Sequence, residues 1–160
     1  MKKVVGLMTF GGLQATSDPK QLEVFHSNLA LLISHVEHVY VVDDGTGKLN
    51  PAKQSNITFQ KLPKNLGKSG AIRTGLRMIL DEEMEAVVIV QIDYDNDQSA
   101  KDIPVLLGTM QESRADVVIG NRHDQSAETY RLNVNVLQQA LGKALGMGEE
   151  VTDVVSGLWL

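Results

Sequence analysis

The most chemically suggestive stretch of the chain is a strongly apolar run that ends abruptly in acid: Val90, Gln91 and Ile92 are followed by Asp93, Tyr94, Asp95, Asn96 and Asp97. Side chains alternate along an extended segment, so Asp93 and Asp95 fall on one side and Asp97 can join them. Hard oxygen ligands at alternate positions suit Mg2+ or Mn2+, which take carboxylates and water and often bind together with substrate phosphates. An EF-hand is excluded. Counting from Asp93, Gln98 stands where that loop needs its turning Gly, and Pro104 where it needs Glu. The competing reading is an acidic, solvated turn.

A second pair of carboxylates, Asp43 and Asp44, closes Val41-Val42 and leads into Gly45-Thr46-Gly47. Neighbouring carboxylates repel, and one of them becomes useful when it accepts the N–H and O–H donors of a base or a ribose. An Asp-Gly turn explains the same residues without a ligand. Between the two acidic sites, Asn65 to Gly75 form a Gly-rich entry into a helix. Gly67-Lys68-Ser69 resembles the end of a P-loop, but Leu62 occupies the position where that pattern requires its first Gly. What remains is a helix start whose backbone N–H groups let a phosphate approach, with Lys68 and Arg73 as cations. Farther on, Val117, Val118 and Ile119 run into Gly120, Asn121 and Arg122, with Arg131 following. The planar fork of arginine suits a diphosphate, and Arg122 is the better placed of the two. His26, His35, His38 and His123 read as surface or packing residues, and the methionines as core filler.

These groups need a scaffold, and periodicity supplies one. Short β-branched runs predict strands over Val4 to Thr9, His38 to Val42, Ile57 to Leu62, Ala86 to Ile92 and Asp116 to Ile119. Helical spacing lies between them. A first helix opens at Ser17, Asp18 and Pro19 and turns Leu22, Phe25, Leu29, Leu32, Ile33 and Val36 inward. A second starts near Gly67 with Ile72, Leu76, Ile79 and Leu80 inward. A third keeps Pro104 in its first turn and uses Leu106, Leu107 and Met110, and a last runs from about Glu128 to Leu145. Alternating strands and helices predict an α/β fold around a mostly parallel sheet covered on both faces. In such a fold, chemistry gathers at the carboxyl ends of the strands.

The bulk properties agree with one compact domain spanning residues 1–160. A chain of 160 residues buries roughly two thirds of its unfolded surface, and 42% apolar with 22% charged residues is a globular composition. A net charge of -5 argues against nucleic acid as a partner, so any bound phosphate needs a metal or a few placed cations. The absence of cysteine excludes disulfides, zinc ribbons and thiol nucleophiles. No apolar run reaches membrane-spanning length and the start lacks a full signal-peptide core, so a cytoplasmic protein is expected, at most peripherally bound at the inner face of a membrane.

Taken together the segments resemble a family 2 glycosyltransferase with the GT-A fold. VVDDGTG, NLGKSGAIRTGL, VQIDYDND followed by AKDIPVLL, ADVVIGNR and VTDVVSGLW occur in the order of that family, from Val39 to Gly157. They are most similar to the corresponding segments of dolichyl- or polyprenyl-phosphate sugar synthases. The resemblance implies a three-layer α/β/α sandwich with a Rossmann-like sheet that binds a UDP- or GDP-linked sugar. It places Asp43 or Asp44, with Gly45, at the nucleotide, and makes Asp93 and Asp95 a metal-binding DxD pair for Mg2+ or Mn2+ with Asp97 as a third ligand. Arg122 becomes a phosphate-side cation and Asp153 the acidic residue near an acceptor such as a polyprenyl phosphate or a hydroxyl, the two expected as catalytic, while Lys68 and Arg131 are read from the sequence as further donor-binding cations. Three features depart from the family pattern: Leu7 to Gly12 replace P-x-Y-N-E after the first strand, Trp159 replaces an arginine, and the acceptor part is expected to be incomplete at Leu160. A domain that binds a nucleotide sugar without turning it over is the alternative. A receiver-like signalling domain ranks last, because Pro63, Lys64 and Asn65 follow the third strand where a phosphorylatable Asp is needed.

Overall fold

The computed structural model describes residues 2–12, 18–50, 54–83, 85, 87–95, 100–118 and 120. Strands β1 (Lys3–Phe10), β2 (His38–Asp43), β3 (Ile57–Lys61) and β4 (Val87–Asp93) form a sheet in the order β3-β2-β1-β4, with every neighbouring pair parallel. Helix α1 (Lys20–Ile33) connects β1 to β2, and α2 (Lys68–Glu82) connects β3 to β4. A 3-10 turn, Ala100–Asp102, leads into α3 (Ile103–Ser113), which has Pro104 in its first turn as its missing N–H requires.

The central strands are apolar on both sides because both sides are covered. Met8, Phe10, Val39, Val41, Val90 and Ile92 face one way and pack with Phe25, Leu29 and Leu32 of α1 and with Ile103 at the start of α3. Val5, Leu7, Tyr40 and Val42 face the other way, onto Ala71 and Ile79 of α2. The two helices lie on opposite faces for a topological reason. The step from β1 to β2 and the step from β3 to β4 cross the sheet in opposite directions, and connections of one hand then place their helices on opposite sides. The result is the expected α/β architecture of three layers, a GT-A-type fold.

Two expectations need correction. In α2 the inward face is Ala71, Ile72, Gly75, Met78 and Ile79, whereas Leu76 and Leu80 are 36% and 76% exposed. Close approach decides this: a Cβ on Gly75 would stand 2.2 Å from Leu7 Cδ1, so the glycine side of the helix must face β1. The fifth strand is also not formed over the described part of its run. Asp116, Val117 and Val118 carry no strand pairing, Val117 is exposed, and only Val118 packs against the core on the α1 side. A β-branched run becomes a strand only where a ladder partner takes its backbone groups. Among the described residues, β4 pairs with β1 alone. The helix expected over 128–145 lies outside the described residues.

The strand order fixes where a ligand can sit. The chain moves from β1 outward to β3, then returns to place β4 on the far side of β1. The crevice beyond the carboxyl ends of β1 and β4 is therefore the point at which the strand order reverses.

Candidate functional site

An open cleft of about 410 Å³ occupies that crevice, lined by Thr9, Phe10, Gly11 and Gly12 after β1, Asp44 after β2, Asn65, Gly67, Lys68 and Ala71 at the start of α2, and Asp93, Tyr94 and Asp95 after β4. Its volume lies within the range usual for small-ligand sites.

The wall beyond β2 separates the roles of its two aspartates. Asp43 is fully buried and turned into its own loop: Oδ1 accepts hydrogen bonds from Thr46 N (2.8 Å) and Thr46 Oγ1 (2.7 Å), and Oδ2 accepts one from Gly47 N (3.0 Å). Gly45 continues that loop at φ +74°, where a Cβ would come within 2.4 Å of the Lys64 carbonyl carbon. Only glycine fits there. Asp44 faces the cleft. Its backbone N–H donates to Phe10 O (2.8 Å), its Oδ1 accepts from Leu66 N (2.7 Å), and it packs where a Cβ on Gly11 would be 2.8 Å from its own Cβ. Of the residues expected at the nucleotide, Asp44 therefore lines the cavity, while Asp43 and Gly45 build the turn behind it.

The opposite wall carries the acidic pair. Asp93 ends β4, and its Oδ2 accepts a hydrogen bond from Lys68 Nζ at 2.6 Å, while Gln91 Nε2 approaches Oδ1 at 3.4 Å. The Lys68 side chain is 52% exposed and that of Asp93 15%. Asp95 lies in the turn beyond the strand, and that turn is held from below. Asn28, buried in α1, donates from Nδ2 to the carbonyl oxygens of Tyr94 (2.7 Å) and Asp95 (2.8 Å). Tyr94 packs edge-on against Phe10 (centroids 4.7 Å apart), and Phe10 in turn meets Phe25 edge-on at 5.3 Å. Each such ring pair is worth about 0.5–1.5 kcal/mol beyond its burial. Burial first, then the charges of Asp95, Asp93 and Asp18, push the Tyr94 hydroxyl above its usual range.

Asp93 and Asp95 line one cleft, and two carboxylates completed by diphosphate oxygens and water are a donor set that fits Mg2+ or Mn2+. Among the described residues, no group of three or more His, Cys, Asp or Glu side chains could hold a metal ion by itself. Asp97, expected as a third ligand, lies outside the described residues, as do Arg122, Arg131 and Asp153. Sequence reasoning missed Asn28, and it marked Leu7 to Gly12 only as a departure from the family pattern, whereas Thr9, Phe10, Gly11 and Gly12 line the cleft. Asn28 carried a signal, as an amide inside the apolar stripe of Phe25, Leu29 and Leu32. The glycines carried another, since they follow β1 directly.

The family model described as "Glycosyl transferase family 2" matches residues 22–153, a span that includes Asp44, Lys68, Asp93 and Asp95. A search of the curated proteins gives no match. Among the described residues, no helix is long and apolar enough to cross a membrane.

Proposed function

The chain belongs to glycosyl transferase family 2, and from that premise we propose that it transfers a sugar, with inversion at the anomeric carbon, from a UDP- or GDP-linked donor with the help of Mg2+ or Mn2+. The observation that supports this most is the meeting of two kinds of carboxylate at one cleft: Asp44 on one wall, Asp93 and Asp95 on the other, with Lys68 between them.

In this reading Asp44 accepts donors from the base or ribose, since it is held at the cavity by Leu66 N–H and is itself buried. Asp93 and Asp95 would hold the ion. When bound, the metal supplies electrostatic stabilisation of the charge that develops on the leaving diphosphate. Lys68 neutralises phosphate charge at the start of α2, where helix polarity also favours an anion. Arg122 has the same task in the sequence resemblance, and Arg131 is a further candidate for donor binding. The acceptor attacks from the face opposite the diphosphate. A polyprenyl phosphate presents an oxygen that is already anionic and needs no strong base, whereas a hydroxyl acceptor makes Asp153 the general base. The lipid acceptor is the one favoured by the likeness to dolichyl- and polyprenyl-phosphate sugar synthases, and it requires the site to reach a membrane surface.

The test is Asp95→Asn, with folding checked by circular dichroism. Transfer from UDP- and GDP-sugars is expected to fall on the order of a hundredfold, the scale for losing one preorganised electrostatic contact. Near-normal, metal-dependent transfer by the variant would remove the metal role. If the unaltered chain binds UDP or GDP with Mn2+ but neither transfers nor releases sugar, the domain is a binding module.

A further inference from the structure

We propose that Lys68 is a built-in counter-cation that occupies the metal-binding carboxylate Asp93 until a donor diphosphate draws it away, so that dication and donor bind as a coupled pair. The inference rests on the proposed sugar transfer and deepens it by assigning the order and coupling of binding to one side chain.

The argument begins with a charge in an unfavourable place. Lys68 is the first residue of α2, and the first turn of that helix contains no acidic residue. A helix N-terminus carries partial positive charge and disfavours a cation. Lys68 is offset there by Asp93, 2.6 Å away across the cleft. The two partners differ in freedom. Asp93 is fixed at the end of β4 with its side chain 15% exposed, while the lysine is 52% exposed on a four-carbon stem. The lysine is therefore the partner that moves. A dication on Asp93 and an ammonium 2.6 Å from its Oδ2 repel each other and draw on the same carboxylate charge, so the ion binds more tightly once Lys68 has moved away. A diphosphate at the start of α2 offers the displaced ammonium a new anionic partner, in charge-assisted hydrogen bonds. Each ligand then raises the affinity for the other by the same factor, as linkage requires.

Mn2+ binding, read by the loss of the free-ion electron paramagnetic resonance signal, tests this without any turnover. With no nucleotide present, Lys68→Met is expected to bind Mn2+ on the order of tenfold more tightly than the unaltered protein, and the further gain on adding UDP or GDP should shrink. Lys68→Arg keeps the charge and should retain weak Mn2+ binding in the absence of nucleotide. Adding Asp93→Asn to Lys68→Met should abolish the gain. The proposal is overturned if Lys68→Met binds Mn2+ no better than the unaltered chain while both still bind it with UDP or GDP; the metal reading then survives without the counter-cation. It is also overturned if Lys68→Arg gains as much as Lys68→Met, or if the gain persists without Asp93. Absence of Mn2+ binding in every protein and with either nucleotide would overturn the metal-dependent reading and the coupling together.

Discussion

Two lysine–carboxylate pairs stand at opposite ends of the same sheet, and they have nearly the same length. Lys3 meets Glu83 at 2.7 Å at the amino end of β1, and Lys68 meets Asp93 at 2.6 Å at the carboxyl end of β4. Their surroundings differ. Lys3 Nζ reaches both oxygens of Glu83, and Glu83 Oε1 also accepts the hydroxyl of Tyr40 at 3.0 Å. Beside them His38 meets Thr58 at 2.9 Å, and the Thr58 hydroxyl donates to Glu82 at 3.3 Å. Lys68 instead touches one oxygen of Asp93 at the edge of an open cleft. Distance alone therefore does not tell a structural pair from an exchangeable one. What matters is whether the lysine stands at a cleft where a ligand can offer it another anionic partner.

The largest effect is expected where the frame and the site share a residue. Asn28→Leu removes the amide that holds the carbonyls of Tyr94 and Asp95, and should cost about 2–4 kcal/mol, as expected for leaving two largely buried acceptors unsatisfied. Urea denaturation measures the loss. Mn2+ titration with UDP or GDP in native buffer should show weaker binding as well, because the turn bearing Asp95 loses its support. Next come the two ion pairs, altered in parallel. Glu83→Ala removes the carboxylate that accepts from Tyr40 at 3.0 Å and pairs with Lys3, and should cost about 1–3 kcal/mol with Mn2+ binding unchanged. Lys68→Met should change stability by no more than about 0.5 kcal/mol, the scale of an exposed pair, while changing Mn2+ binding. If both variants moved stability alike, the contrast between the two ends would be lost.

Acid and alkali sharpen the same contrast through the amino-end network. The hydrogen bond from Lys3, opposed by burial and aided by Tyr40, holds the Glu83 carboxyl below its ordinary pKa of 4.5. Its folded-state pKa is depressed, so the stability it contributes is complete above that ordinary value and fades as the pH falls through the folded value. Burial, then the Glu83 hydrogen bond and charge, push the Tyr40 hydroxyl far above its ordinary 10.0. A raised folded pKa has the opposite sign: the contribution is present below pH 10.0 and disappears as the pH rises through the folded value. Absorbance titration should find Tyr40 resisting ionisation above pH 10.0, and Glu83→Gln should bring its titration down. An unchanged titration in that variant would detach Tyr40 from the network.

The legible and illegible parts of this protein divide along the range of the interactions involved. Short β-branched runs place β1 to β4 within a residue or two of their observed bounds, because the central strands, covered on both faces, are apolar through most of their length. Asp18 and Pro19 mark the start of α1 because their chemistry is local: Asp18 Oδ1 accepts the Lys20 N–H at 2.9 Å. The acidic ends of β2 and β4 are legible for the same reason. The choice between Asp43 and Asp44 is not, since it depends on Thr46 and Gly47 folding back onto one of them. Lys68 and Asp93 lie far apart in sequence, and only the return of the chain across the sheet brings them together. Asn28 is identified as a support for the turn only once β4 ends above α1. Membership of the family was legible from the order of the motifs; metal, donor and acceptor depend on atoms that sequence spacing does not locate.

The smallest expected effect comes from the helix that joins the two ends. α2 begins at Lys68 and finishes just before Glu83, so a disturbance of its packing reaches both ion pairs. Its outer side carries Leu80, 76% exposed and outside the set that packs on Leu7 and Tyr40. Leu80→Gln should therefore leave stability within about 0.5 kcal/mol of the unaltered chain, as for exposed positions generally, and should alter neither the Tyr40 titration nor Mn2+ binding. Thermal denaturation with both titrations on one sample makes the comparison. A loss above about 1 kcal/mol, the size expected when a packed side chain is removed, would mean that this face is covered in solution. The periodicity that placed Leu76 and Leu80 inward would then have been reporting a second contact surface of α2, distinct from the one that Gly75 presses against β1.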